Sequence, residues 1–314
     1  MLNLIVCIMQ NRVLGTIAPP DRKGEDNEHA PAAKDLTHEV AFGYPRDFLE
    51  NHFVYLVISP RANGLAIGVN LNPVVTCNLN CLYCEVDRAQ PSLEGGFELN
   101  RMVMELKETL ELARGGWLRQ WPRYARLPAE LLTVRHVSLS GDGEPTLSPH
   151  FVEAVQAVVR LRGTEGYFKI VLPTNSTALD QAPAQAGLAL LRQDDEVWAK
   201  LDGGTQDYLN RINGSPEPLD KILGNILSVG RQRPVVVQSL FPAINGEEPP
   251  IREIVEYAQR LKELKEAGAD IPLVQIYSAN RPAARLGCSH LPLRTLSQIA
   301  QTVRRVAGLR AEVF

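Results

Sequence analysis

The chain has 314 residues, 45% of them hydrophobic, enough for one large α/β domain or two modest ones with a sizeable buried core. Its 33 basic and 36 acidic residues leave a formal charge of −3, which gives no overall footprint for a nucleic-acid or membrane-surface binder. No apolar run approaches the roughly 20 residues of a membrane-spanning helix, and an odd cysteine count without an export signal argues for a reducing compartment, read here as the cytoplasm.

The opening stretch "MLNLIVCIMQNR" has no basic residue ahead of its apolar run and no small-residue cleavage site close behind, so it reads as a buried strand rather than a signal peptide. Residues 19–35, "PPDRKGEDNEHAPAAKD", are charged, Pro-containing and nearly devoid of large apolar side chains, which predicts a flexible segment inside an N-terminal extension over 1–54. The remainder, 55–314, reads as one domain. From about residue 66 the pattern is rhythmic: β-rich runs at "LAIGVNL", "VRHVSLS", "FKIVLPT", "EVWAKLD", "PVVVQSLF" and "PLVQIYS", each followed by a turn and a helical pattern. The helices are expected at about 98–114, 149–162, 181–192, 217–230, 251–267 and 293–307, with apolar residues recurring at three and four, as in Ile251, Ile254, Val255, Ala258 and Leu261. Six such pairs predict an α/β fold with a parallel sheet and right-handed crossovers. A partial, TIM-like (β/α)6 barrel fits better than a doubly wound sheet, because no G-x-G-x-x-G follows the first strand and polar residues gather at strand C-termini.

Just past the first of these strands comes "CNLNCLYC", with Cys77, Cys81 and Cys84. Disulfides need pairs and a closed zinc site needs four ligands, so three clustered thiols point elsewhere. Three thiolates from one loop can hold three irons of a cubane and leave the fourth open to an exogenous chelate, such as the amino and carboxylate groups of S-adenosylmethionine. Zinc is the alternative; the nearest histidines in sequence, His52 and His136, are far away, which leaves a folded-back Cys288 or His290 as its fourth ligand.

Further along, "SLSGDGEPTL" ends the second strand. Gly141 and Gly143 let backbone pass close to a ligand there, and Glu144 offers a carboxylate to an ammonium group. Strand alternation puts Trp198, Lys200 and Asp202 on one face, where a buried Lys and Asp need a ligand or each other. The segment "WLRQWPRYAR" interleaves aromatics with Arg119, Arg123 and Arg126 in a pattern that can stack bases and pair phosphates, but it reads more readily as a connector, with any helix broken at Pro122. Cys288 and His290 follow the sixth strand on a loop, and Tyr277, Asn280 and Arg281 at the same rim are candidate substrate contacts.

"CNLNCLYC" resembles the C-x3-C-x2-C signature of the radical S-adenosylmethionine (radical SAM) superfamily, including an aromatic residue, Tyr83, before the third cysteine. The resemblance implies a 4Fe–4S cluster on Cys77, Cys81 and Cys84, with S-adenosylmethionine reductively cleaved to a 5′-deoxyadenosyl radical that abstracts hydrogen from a substrate. It implies that Gly141, Gly143 and Glu144 stand for the family's Gly-Gly-Glu-like motif at the methionyl amino group, with Asp142 at a position often small. Asn175, Lys200 and Asp202 would then serve the ribose and carboxylate of the cofactor, and Gln238 its adenosine. In some radical enzymes a cysteine opposite the cofactor returns a hydrogen atom, which makes Cys288 the candidate catalytic residue.

From about residue 55 to 230 the order and spacing of "VNLNPVVTCNLNCLYC", "SGDGEPTLSP", "PTNSTAL" and "LDGGTQDYLNRINGS" are similar to the group of Fe–S oxidoreductases that includes wyosine tRNA synthetase. The implied partners are an unidentified small molecule, peptide or tRNA and a low-potential electron donor such as flavodoxin or ferredoxin, without a membrane. Two alternatives stand beside this reading: modification of a tRNA base of the wyosine type, and a non-catalytic zinc or electron-transfer module.

Overall fold

The computed structural model describes residues 48–59, 61–72, 76–86, 96–279 and 287–314. Most of the N-terminal extension, the flexible segment read at 19–35, and Asn280 and Arg281 lie outside the described residues.

Valine- and isoleucine-rich runs build the sheet. In chain order its strands are β1 (Val54–Ser59), β2 (Gly64–Val69), β3 (Val134–Leu139), β4 (Lys169–Thr174), β5 (Glu196–Lys200) and β6 (Val235–Leu240), then, after a two-residue β7 (Ala243–Ile244), β8 (Val274–Tyr277), and, after β9 (Cys288–Ser289), β10 (Ala311–Val313). The sheet order is β1-β2-β3-β4-β5-β6-β8-β10, parallel throughout except for the β1–β2 hairpin, while β7 and β9 form a separate antiparallel pair. The helices are α1 (Leu99–Arg114), a single turn α2 (Pro122–Ala125), α3 (Phe151–Glu165), α4 (Ala182–Leu188), α5 (Gln206–Asn213), α6 (Leu219–Gly230), α7 (Ile251–Glu266) and α8 (Leu293–Ala307). The strands β2, β3, β4, β5, β6 and β8 are each followed by a helix, so the expected (β/α)6 order is present. It is extended by β1 and β10, one at each edge.

The sheet curls into a half-barrel. Arg61, in the β1–β2 turn, lies over the Tyr277 ring of β8 at 4.4 Å although four strands separate β2 from β8. Alternation along each strand sorts the side chains. Ile67, Val137, Leu139, Ile170, Leu172, Val197, Val237 and Ile276 are fully buried under the helices. Each such side chain contributes roughly 1.5–3 kcal/mol by leaving water. In α8 the facing stripe is Leu296, Ile299, Ala300, Val303 and Ala307, spaced three and four apart, and the helix begins directly after Pro292. The inner side of the sheet is mixed. Val171, Trp198 and Val236 cluster there with Leu273, and the polar residues Ser138, Gln238 and Gln275 are buried around them.

His136 belongs to that floor, its ring edge-on to Trp198 at 5.5 Å. Burial holds its pKa at about 4, below the ordinary 6.5, so the ring is neutral at pH 7. Below about pH 6.5 the unfolded chain takes up a proton that the folded chain refuses until about pH 4. Its stabilising contribution is therefore complete above pH 6.5 and lost, by about 3 kcal/mol, as pH falls across that window. Urea midpoints measured at pH 7 and 4.5 should show this loss in the native protein and a smaller one in His136→Phe.

The segment 117–126 departs from expectation. Pro122 starts a helical turn instead of breaking one, because at the first helical position its missing N–H has no partner to lose. Tyr124 is buried, Trp121 packs on Phe48 with ring centroids 6.0 Å apart, and Trp117 remains exposed. No helix among the described residues is long and apolar enough to cross a membrane.

Candidate metal centre

The cysteine loop leaves the C-terminal end of β2, and its first residues are docked on the turn after β3. The Asn70 side chain donates to Asp142 at 2.6 Å and accepts from the Asp142 and Asn72 backbone N–H groups at 3.1 and 3.0 Å. The Glu144 N–H donates to the Thr76 carbonyl at 2.8 Å. A Cβ at Gly141 would run into Asn70, and one at Gly143 into the Thr76 carbonyl. The two glycines thus admit the chain leading to Cys77, where the sequence had suggested a ligand.

Glu144 is buried, and its carboxylate clips the ends of β3 and β4 together. It accepts from the Thr146 N–H and hydroxyl at 3.2 and 2.6 Å, from the Thr174 hydroxyl at 2.7 Å and from the Asn175 N–H at 2.6 Å. Burial pushes its pKa up, and these donors pull it back. Asn175, so anchored, turns its amide toward the loop: Nδ2 donates to Asn78 Oδ1 at 2.9 Å and reaches Cys77 Sγ at 3.9 Å. The next residue, Ser176, sits at φ 68°, a costly conformation for a residue with a side chain, and is held there by its hydroxyl on the Lys200 carbonyl and by Asn225 on its own carbonyl.

The other side of the loop leans on α5. The backbone N–H groups of Asn80 and Leu82 donate to the carbonyls of Asn213 and Ile212 at 2.7 and 2.8 Å. The Asn213 amide donates to Cys81 Sγ at 3.2 Å, to the Tyr83 hydroxyl at 3.0 Å and to Asp202 at 2.9 Å. Asp202 accepts further from the Tyr83 hydroxyl and from the Leu240 N–H at 2.9 Å, and pairs with Lys200 at 3.5 Å. Lys200 in turn donates to the Tyr277 hydroxyl at 3.1 Å and lies over the Tyr83 ring at 4.6 Å. Burial alone would lower the Lys200 pKa, but the Asp202 charge outweighs it and the ammonium is held well above its usual range. Burial, then Asp202, raises the Tyr83 phenol. The same two causes push the Cys81 thiol up to about 11, against the opposing Asn213 hydrogen bond and Lys200 charge. A thiol in that state gives up its proton only to a strongly binding metal.

The structure therefore unites most of the residues read from the sequence. Cys77, Gly143, Glu144 and Asn175 stand on one side of the loop, and Cys81, Tyr83, Lys200 and Asp202 on the other. Trp198 shares their strand face but packs in the floor. Gln238 is buried below, its amide donating to Gln275 at 2.7 Å. Cys288 lies on β9, paired with Ile244 of β7, half-buried and with its thiol pKa raised by burial. His52 bonds to Arg101, and His290 is exposed. Asn213 was missed, as were Asn70, Asn78 and Thr174. Asn213 ends α5, Thr174 ends β4, and Asn70 and Asn78 lie in the turn and loop after β2, with no local pattern that marks any of them.

Among the described residues no three His, Cys, Asp or Glu side chains are arranged to hold a single metal ion. The donor set is of the kind that an iron–sulfur cluster takes. Three thiols come from one loop, and two of their sulfurs face amide donors, the kind of hydrogen bond that tunes such clusters.

Residues 71–261, well over half of the chain, match the Radical SAM superfamily. A UPF0026 protein of Synechocystis is 29% identical over 161 residues, 51% of this chain and 52% of that protein, so the chain spans about half the length of this relative. A structure of TYW1 with a lysine-pyruvate adduct bound is similar over 78% of this chain and 74% of that one, at 18% identity and a TM-score of 0.50. Streptococcus suis SuiB bound to S-adenosylmethionine is similar over 81% of this chain and 52% of that one, at 13% identity and a TM-score of 0.53. These structures share the half-barrel fold, and with the cysteine loop inside the matched span the chain belongs to the radical SAM superfamily of enzymes.

Proposed function

We propose that this protein holds one 4Fe–4S cluster on Cys77, Cys81 and Cys84 and uses S-adenosylmethionine to abstract hydrogen from a substrate. The observation that carries this reading is the two-sided bracing of the loop, with the Asn175 amide at Cys77 and the Asn213 amide at Cys81. When bound and reduced, such a cluster supplies the electron that cleaves the cofactor's sulfonium to give a 5′-deoxyadenosyl radical.

The chain's own residues orient and insulate. Asp202 and Asn213 fix the Tyr83 ring, which stands beside the Lys200 ammonium. Lys200 is the cation available to the cofactor's carboxylate, and Asn175 the amide nearest Cys77. Glu144 keeps the turn that carries Gly143 pressed against the loop, so its four donors make it a positioning residue first. Cys288, at the rim on β9, is the proposed hydrogen-atom donor to the substrate radical. The electron donor fits a flavodoxin or ferredoxin, and the compartment a reducing cytoplasm.

Reconstitution with iron and sulfide under nitrogen tests the reading. The expected product is brown, carries about four irons per chain, bleaches with dithionite and then releases 5′-deoxyadenosine. A colourless protein with stoichiometric zinc would overturn it. In the same assay, once a substrate turns over, unchanged turnover by Cys288→Ala would remove that residue's role.

A further inference from the structure

The lysines that β4 and β5 carry on the inner side of the half-barrel are each paired with a carboxylate. Among the described residues Lys200 pairs there with Asp202 at 3.5 Å, and Lys169 with Glu196 at 2.6 Å. Both pairs are neutral overall. His136, facing Lys169, Glu196 and Arg61, is uncharged at neutral pH. Arg61 has no such counterpart: its guanidinium lies over the Tyr277 ring at 4.4 Å and makes no ion pair or hydrogen bond with a described residue.

A half-buried guanidinium with no acceptor among the described residues, on the concave side of the sheet, raises the potential there and favours an anion. A guanidinium held against an aromatic ring, as Arg61 is against Tyr277 at 4.4 Å, can still offer N–H groups to two oxygens of a carboxylate or phosphate at once.

We infer that the substrate carries a carboxylate or phosphate group and that Arg61 binds it inside the half-barrel. The inference rests on the radical SAM reading for the word substrate, but the anion site stands on its own geometry. Lys200 Nζ stands 5.4 Å from the centroid of the same Tyr277 ring, so the test keeps the protein saturated with S-adenosylmethionine to tell a second anion from the cofactor's own carboxylate.

Calorimetric titration of the reconstituted protein, saturated with S-adenosylmethionine, with inorganic phosphate in one arm and malonate in the other, is the test. One of the two anions is expected to bind, and Arg61→Gln to weaken it about tenfold or more, as loss of hydrogen bonds to a charged group implies. Arg61→Lys, which keeps the charge but not the fork, should fall between. If Arg61→Gln does not fold, the Lys variant decides: weaker binding supports the site and equal binding overturns it. Binding of neither anion to the native protein, equal binding by Arg61→Gln, or displacement of the anion by S-adenosylmethionine would each overturn the inference. Failure of the cluster chemistry shows separately, as a colourless protein, and leaves the anion titration readable.

Discussion

Replacing Cys81 by Ala is expected to abolish the brown chromophore on reconstitution and to bring 5′-deoxyadenosine release down to background. The Cys81 sulfur accepts from the Asn213 amide at 3.2 Å, and burial, then Asp202, pushes its thiol up to about 11. Its loss removes one of the three proposed ligands, and two thiolates cannot hold a cubane by themselves. The metal-free protein should melt within about 1 kcal/mol of native, since a small side chain is traded for a smaller one at a half-buried position. Iron content and thermal melting of the two metal-free chains, measured together, separate loss of ligation from loss of fold. A variant that still gains a full complement of iron would mean that the cluster rests on other residues.

The second large effect is on stability. Asp202→Ala should cost about 3–5 kcal/mol, because it strands the Lys200 charge and leaves the Tyr83 hydroxyl and the Leu240 N–H without their acceptor. Lys200 keeps a fifth of its side chain in contact with solvent, which favours the lower end of that range. The double variant Asp202→Ala with Lys200→Met should recover part of the loss, since the unpaired charge goes with the lysine. Urea denaturation of the four corners of this cycle gives the coupling directly. If Asp202→Ala falls within about 1 kcal/mol of native, the hydrogen bonds around the carboxylate are not what holds the loop.

These two residues illustrate what the sequence made legible. The strands were readable because their β-branched runs are bounded by polar turns, and the helices because their apolar residues keep a period that places one stripe against the sheet. The elements that escaped are short or at the edge: β10 has three residues and α5 eight, too few to establish a period. The cysteines were legible because their spacing is local. Asp202 and Lys200 were legible because alternation puts two charges on one buried face, and each turns out to be the other's partner at 3.5 Å. Glycines 141 and 143 signalled a close approach, but whether the approaching group is a ligand or the chain itself is a matter of tertiary structure. Asn213 lies 132 positions from the sulfur it serves, and nothing in its neighbourhood announces that.

The pairing of Asn80 and Leu82 with the last turn of α5 has a consequence for opening of the structure. Residues 80–82 draw two backbone partners from that turn, and the same turn supplies the amide that binds sulfur and carboxylate alike. The loop therefore has no separate stability to lose: it and the helix end unfasten as one cooperative unit. Thermal fraying of an eight-residue helix is in this way coupled to exposure of the thiols.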